Sequence, residues 1–117
     1  MEKKPRPRKL PNITESVTTG CGDLDVTATY LDGEIFEVFA HMENANSCMK
    51  SQTESVCRLL SSARRYGVPM DGLVKQLIGV SCGKIGFSKE DGKVLSCADG
   101  IAKVLRRRMD DNSSQRG

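Results

Sequence analysis

The sequence predicts an α+β fold in which three helices pack on one face of a three-stranded antiparallel sheet. Two observations lead to this prediction. Apolar residues alternate with polar ones in the first third of the chain, the period of half-buried strands, and then recur at helical spacing. With 117 residues, 38% of them hydrophobic, the chain is long enough to form one modest core as a single domain.

The three strands are predicted at residues 14–19, 24–30 and 35–40. The second of them alternates most cleanly, with every other residue apolar. Asp32-Gly33 is a strong signal for a hairpin turn into the third strand. Glycines on both sides of Cys21 mark a tight turn between the first two strands.

Three helices are predicted after the polar turn at residues 44–47. Asn46 or Ser47 caps the first helix, which runs to about Tyr66. A second helix has Pro69 in its first turn and is expected to end near Leu77. The last helix is predicted to start near Ser96, and its buried stripe consists of Ile101, Ala102, Val104 and Leu105.

The charge distribution divides the chain into an arm, a domain and a tail. Residues 1–12 combine three prolines with a net charge of +4, so we expect a basic, flexible arm there. Residues 13–109 are predicted to form the domain, and residues 110–117 a disordered tail. The arm could contact nucleic acid or an acidic partner surface, but a solubilising tail or a linker is the simpler interpretation.

The composition also favours a location and excludes several kinds of site. No apolar run is long enough for a membrane span, and no secretory signal is recognisable, so we expect a cytoplasmic protein with reduced thiols. No nucleotide-binding loop and no hydrolase triad is visible. We therefore predict no catalytic residue.

Four cysteines are the candidate metal ligands, namely Cys21, Cys48, Cys82 and Cys97. No local CxxC pair is present, so the spacing alone is a weak metal signal, and independent buried thiols remain an alternative. Their placement in turns and at helix starts is more informative, because such positions allow side chains from distant segments to converge. Cys57, by contrast, is predicted to be a small buried hydrophobic residue in the middle of a helix. The single histidine, His41, is a possible further ligand or an ordinary polar residue at a strand end.

Several segments in order resemble the TSCPD domain, which occurs at the C-terminus of many adenosylcobalamin-dependent (class II) ribonucleotide reductases and as short stand-alone proteins. The naming motif reads Leu95-Ser96-Cys97-Ala98-Asp99 here, and the likeness covers about residues 6 to 106. The other matching segments are Thr19-Gly20-Cys21-Gly22-Asp23-Leu24, Phe36-Glu37-Val38-Phe39-Ala40, Ser47-Cys48, Gly67-Val68-Pro69 and Lys75-Gln76-Leu77-Ile78-Gly79-Val80 with Cys82.

The resemblance implies that the four cysteines bind a metal ion, zinc by preference, and that the protein serves a ribonucleoside-diphosphate reductase in deoxyribonucleotide synthesis for DNA replication. The chain is too short to be a reductase alone. Its expected partner is the reductase or the electron donor of that enzyme.

A more distant resemblance is to the IscU-type iron–sulfur scaffold proteins. Their Cys-Gly-Asp turn is similar to Cys21-Gly22-Asp23, and their His-Cys before the last helix is similar to Ser96-Cys97. This implies a shared βββααα topology, an iron–sulfur cluster as the alternative cofactor, and a cluster-tuning role for Asp23. A scaffold or carrier of clusters is therefore the alternative function. A thiol redox relay is a second alternative, which the absence of CxxC disfavours.

Overall fold

The computed structural model describes residues 2–43 and 47–116, with the backbone alone for Ser47 and residues 112–116. Three strands come first, β1 (Asn12–Thr19), β2 (Gly22–Leu31) and β3 (Glu34–His41). Helices α1 (Ser47–Arg65) and α2 (Met70–Leu77) follow, then the short strands β4 (Gly86–Ser88) and β5 (Gly92–Val94), and last the helix α3 (Cys97–Arg116). The predicted α+β fold, a three-stranded antiparallel sheet with three helices, is confirmed. None of the described helices is both long and apolar enough to cross a membrane.

The sheet has the strand order β1-β2-β3, and both pairings are antiparallel. Thr19 pairs with Gly22 at the first turn, which leaves Gly20 and Cys21 as a two-residue loop. At the second turn, Asp32 and Gly33 have φ values of 55° and 80°. Two consecutive positive φ values are what a tight turn between twisted strands requires, so the predicted Asp32-Gly33 hairpin is confirmed.

The core lies between one face of the sheet and the helices. Leu24, Val26 and Ala28 of β2 are buried and the residues between them are not, as the strand period predicts, whereas Thr29 is buried as well, next to a shift in the pairing with β3. The predicted stripe of α3 is also confirmed, since its four residues are at most 1% exposed. The largest fully buried side chains of this core are Leu24, Ile101, Leu105, Val17, Val26, Val38, Val94 and Val104.

The helix limits differ slightly from those predicted. Pro69 is the N-cap of α2 rather than a residue of its first turn. The cap predicted for α1, Asn46 or the side chain of Ser47, lies outside the described residues. α3 ends at Arg116, and Arg108 pairs with Asp111 one turn later at 3.2 Å, while the disorder predicted for residues 110–117 stays a prediction.

The hairpin of β4 and β5 is a new element, because no strand is predicted between the second and the third helix. Three residues, 89–91, connect its strands, and Gly92 at the start of β5 has a φ of 71°. A three-residue loop with glycine in the left-handed conformation is a common hairpin connection, different from the two-residue Asp32-Gly33 turn. The flanking strands have three residues each, too few to show the alternation by which the longer strands are recognised.

The segment before β1 is extended and contacts the body. The Lys4 amide donates to the Arg65 carbonyl at 2.8 Å, and the Arg65 Nε donates to the Lys4 carbonyl at 3.1 Å. Arg6 forms an ion pair with Glu37, a residue of β3 that is only 8% exposed. The arm therefore runs against the end of α1 and one face of the sheet. Its predicted flexibility and nucleic-acid contact stay predictions.

Candidate functional site

Cys21 occupies the turn between β1 and β2, and Thr19 fixes that turn. The Thr19 hydroxyl accepts a hydrogen bond from the Cys21 amide at 3.1 Å and donates one to the Gly22 carbonyl at 2.7 Å. Thr19 is 4% exposed. A buried hydroxyl that bonds on both sides of the turn restrains the orientation of Cys21, which is itself half-buried.

Two glycines bring the Cys82 segment against this turn. A Cβ atom on Gly86 would lie 2.5 Å from the carbonyl carbon of Thr19, and one on Gly20 would lie 2.4 Å from that of Lys84. Both distances are shorter than any real Cβ contact, so the two backbones approach in a way that only glycine allows. Cys82, which precedes Lys84 by two residues, therefore lies beside the turn that contains Cys21.

Cys82 is also joined to the segment that precedes α3. Its amide donates to the Leu95 carbonyl at 3.0 Å. Two residues earlier, the Val80 carbonyl accepts a hydrogen bond from the Ser96 hydroxyl at 2.6 Å. The Cys82 side chain is exposed, and its sulfur lies 3.7 Å from the Lys84 carbonyl.

Cys97 is the first residue of α3, where Ser96 acts as the cap. The Ser96 hydroxyl accepts a hydrogen bond from the Asp99 amide at 3.0 Å, the usual pattern for a helix N-cap. The Asp99 carboxylate in turn accepts bonds from the amides of Gly79 and Leu95, each at 2.9 Å. Ser96 and Asp99 therefore connect the start of α3 to the chain that leads into Cys82.

Cys48 reaches the site from another element. It lies in the first turn of α1 and is exposed. The Ser51 hydroxyl donates to the Cys48 carbonyl at 3.0 Å, a contact inside the helix. Cys48 faces the other three cysteines across a cavity that residues of α1 and α3 line.

All four predicted ligands line one cavity of about 260 Å³, and its walls are mainly apolar. Cys57 is not among the lining residues. As they are oriented here, no three His, Cys, Asp or Glu side chains of the described residues form a group that could hold a metal ion. The remaining lining residues are Met49, Gln52, Thr53, Val56, Val80, Ser96, Ala98 and Ile101.

The surroundings of the Cys97 thiol shift its pKa. Burial raises the pKa, and the neighbouring Cys21 and Cys82 raise it further, while a hydrogen bond with Thr19 acts in the opposite direction. Cys97 therefore lies near Cys21 and Cys82, with which it shares the cavity. A raised pKa also means that a metal ion must displace a proton from this thiol, so binding would strengthen as the pH rises.

Cys57 is separate from the site, as predicted. It is 5% exposed and belongs to the hydrophobic core. Burial raises the pKa of the Cys57 thiol to about 12. A thiol of this kind stays protonated at neutral pH and is a poor ligand and a poor nucleophile.

The two other candidate residues lie outside the cysteine cavity. Asp23 is exposed, and its carboxylate accepts a hydrogen bond from the Thr18 hydroxyl at 3.0 Å. His41 is exposed at the end of β3 and lines a separate groove of about 640 Å³ between β3 and α1. The cluster-tuning role of Asp23 stays a prediction.

Sequence reasoning did not identify the residues that position the cysteines. Thr19, Ser96 and Asp99 are polar residues that are at most 5% exposed, and they bond mainly to backbone atoms. Ser96 and Asp99 stand three residues apart at a helix start, which is the spacing of a capping box. That spacing could have indicated their role, whereas nothing local distinguishes Thr19 from the other threonines of the sheet.

Comparison with known proteins gives one match. The family model of the TSCPD domain matches residues 1–109. Neither the curated proteins nor the solved structures contain a match to the chain.

Proposed function

Because the chain belongs to the TSCPD domain family, a domain associated with ribonucleotide reductases, we propose that it is a metal-binding accessory module of such an enzyme. The observation that supports metal binding is the convergence of Cys21, Cys48, Cys82 and Cys97 on one cavity. These cysteines come from four segments separated by 26, 33 and 14 residues, and independent buried thiols have no reason to share a cavity.

The donor set fits zinc. Four thiolates and no carboxylate suit a soft or borderline metal ion, and zinc prefers a closed tetrahedral site of this composition when its role is structural. Binding would require the exposed thiols of Cys48 and Cys82 to turn into the cavity. Zinc in such a site would stabilise the folded state, because it would join segments that are far apart in the unfolded chain.

The module would act through binding rather than catalysis. Its 117 residues are too few for the radical machinery and cobalamin site of a reductase, so deoxyribonucleotide synthesis would reside in the partner chain. We propose a reductase, or the electron donor that serves it, as this partner in the cytoplasm. The metal would stabilise the surface that docks on that partner.

Metal analysis of protein purified without added zinc tests the site. We expect about one zinc per chain, and loss of most of it in each of the variants Cys21→Ser, Cys82→Ser and Cys97→Ser. The matched control is Cys57→Ala, which removes a cysteine that lies outside the cavity and should keep the metal. Less than about half an equivalent of zinc in the unchanged protein would contradict the proposal.

The same protein can be tested for the alternative cofactor. Anaerobic incubation with iron and sulfide should leave a zinc site colourless. A stable brown protein that contains both elements in fixed ratio would instead favour the iron–sulfur scaffold.

A further inference from the structure

Exposed apolar side chains are concentrated near Cys82. Among the described residues, seven large hydrophobic side chains are exposed, and three of them, Val80, Ile85 and Phe87, lie within eight residues of the sequence. Phe87 is 67% exposed and Ile85 is 55% exposed. Single exposed apolar residues are ordinary on a protein surface, whereas a group of them indicates a surface that binds a partner.

The hairpin of β4 and β5 turns two of these residues away from the body. Gly86 lies against β1, since a Cβ atom there would lie 2.5 Å from the backbone of that strand, and its pairing partner Val94 is 0% exposed. Side chains alternate between the two faces of a strand, so Phe87 and its pairing partner Lys93 lie together on the opposite, outer face. Ile85 precedes Gly86 and is exposed with them. We call the surface formed by Ile85, Phe87 and Lys93 the hairpin face.

The hairpin is attached to α3 by polar contacts. The Asp91 carboxylate lies 3.5 Å from the guanidinium of Arg107 in α3, and Lys103 of the same helix donates to the Lys93 carbonyl. Within the hairpin, the Asp91 amide donates to the Ser88 hydroxyl at 3.0 Å. The hairpin face is therefore presented on a fixed support, so a partner would lose little free energy in ordering it.

Lysines accompany the two apolar residues. Lys84, Lys89 and Lys93 are exposed, and none of them forms an ion pair with a described residue. The residues outside the described part contain no aspartate and no glutamate. One exposed acidic residue, Glu90, stands among these lysines in the sequence. Residues 13–105 contain nine basic and twelve acidic residues, so the hairpin is a basic region on an acidic domain.

The chemistry of the hairpin face suits an acidic segment of a protein. An apolar centre with a polar rim is typical of protein–protein interfaces, and lysines at the rim complement carboxylates. A surface for nucleic acid usually combines positive charge with several aromatic side chains or with arginines. The hairpin has one aromatic residue, Phe87, and no arginine.

We propose that the hairpin face docks a protein segment in which an apolar side chain is flanked by carboxylates. The apolar side chain would pack on Ile85 and Phe87, and the carboxylates would pair with the lysines. This inference rests on the proposed function, because it names the surface with which the module would bind its reductase or electron donor. Cys82 lies three residues before Ile85, so the metal site and the docking surface would share one segment.

Fluorescence anisotropy with a labelled synthetic peptide tests the proposal on the full chain. The peptide carries leucine and phenylalanine between glutamates, and a second peptide has a lysine in place of each glutamate. We expect the acidic peptide to bind and the basic peptide not to bind. The affinity for the acidic peptide should fall as the salt concentration is raised, because salt screens exposed charges.

Two variants locate the binding surface. Phe87→Thr removes the aromatic ring but keeps a β-branched residue in the strand, and it should weaken binding roughly 10–100-fold, since burial of a phenylalanine side chain is lost. Lys93→Glu should weaken binding roughly 3–10-fold at low salt, because it reverses an exposed charge. The matched controls are Leu59→Gln and Lys75→Glu, which change an exposed apolar residue and an exposed basic residue on other elements. They should change the affinity less than about twofold.

Three results would overturn the hairpin face as a docking surface for acidic segments. One is absence of binding between the acidic peptide and the unchanged protein. Another is equal weakening by Phe87→Thr and Leu59→Gln. The third is tighter binding of single-stranded oligothymidylate than of the acidic peptide, which would assign the face to nucleic acid.

The reductase of the same host, used as a second binding partner, separates this inference from the proposed function. If the peptide binds through the hairpin face but neither the reductase nor its electron donor binds, the docking surface stands and the proposed partner is wrong. If the reductase binds Phe87→Thr as tightly as the unchanged protein, the partner stands and the hairpin face is not its docking surface.

Discussion

Replacement of Asp99 by alanine should lower the free energy of unfolding by about 3–5 kcal/mol, the usual cost of breaking a buried ion pair. The Asp99 side chain is 0% exposed and lies 2.9 Å from the Lys103 ammonium, while the amides of Gly79 and Leu95 donate to it. Alanine would leave both amides and the ammonium without this acceptor. Because the bonded segment leads into Cys82, metal affinity should fall together with stability.

Urea unfolding at neutral pH measures the effect. The matched control is Asp71→Ala, which also removes an aspartate from the first turn of a helix, but from an exposed position. It should cost less than about 1 kcal/mol, because only the helix-dipole contribution is lost. Equal effects of the two substitutions would contradict the role assigned to Asp99.

The pH dependence of the unchanged protein gives an independent check on Asp99. Burial by itself raises the pKa of this carboxyl, but the amides of Gly79 and Leu95 and the Lys103 ammonium outweigh burial, so its pKa lies below the usual value. A carboxyl whose pKa is lowered on folding stabilises the protein above its unfolded pKa of about 4. That contribution should be lost as the pH falls through the lower folded pKa, and it should be missing from Asp99→Ala.

Replacement of Gly86 by alanine should separate the Cys82 segment from the Cys21 turn. The new Cβ would lie 2.5 Å from the carbonyl carbon of Thr19 and 2.6 Å from the Thr18 oxygen. These are backbone atoms of a paired strand and cannot turn aside as a flexible side chain can. We expect a loss of about 1–3 kcal/mol in the free energy of unfolding, the range for overpacking, together with weaker zinc binding.

Thermal unfolding and zinc affinity of Gly86→Ala should be compared with those of Gly72→Ala. Gly72 lies in α2, and a Cβ there would meet no described atom within 4 Å. Alanine in a helix interior should therefore stabilise the protein by about 0.5–1 kcal/mol and leave zinc affinity unchanged. Stability and affinity of Gly86→Ala as high as those of Gly72→Ala would show that the close approach is unimportant.

The sheet and the core stripe of α3 could be predicted because their signals are local. Alternation over residues 24–30 and the Asp32-Gly33 turn each specify one conformation without reference to the rest of the chain. The hairpin of β4 and β5 could not be predicted in the same way. Its strands pair only with each other over three residues, and β4 packs against β1 through Gly86, a contact that has no local pattern.

For the candidate site, too, local sequence patterns predicted one part, and tertiary contacts determine the other. The four cysteines could be selected from their positions in turns and at helix starts, and Cys57 could be set aside from its place in a helix. Their common cavity depends on tertiary contacts such as those of Asp99 with Gly79, 20 residues apart in the chain. No pattern in the sequence specifies such contacts, so the shared cavity could not be derived from the sequence, and metal binding by the four cysteines stays a prediction.

X-ray absorption spectroscopy at the zinc edge, on protein purified without added metal, tests most directly whether the four cysteines share one ion. We expect a single shell of four sulfur atoms at about 2.3 Å. The shell should fall to three sulfur atoms in Cys48→Ala and stay at four in Cys57→Ala. A shell made mainly of nitrogen or oxygen atoms in the unchanged protein would contradict a site built from Cys21, Cys48, Cys82 and Cys97.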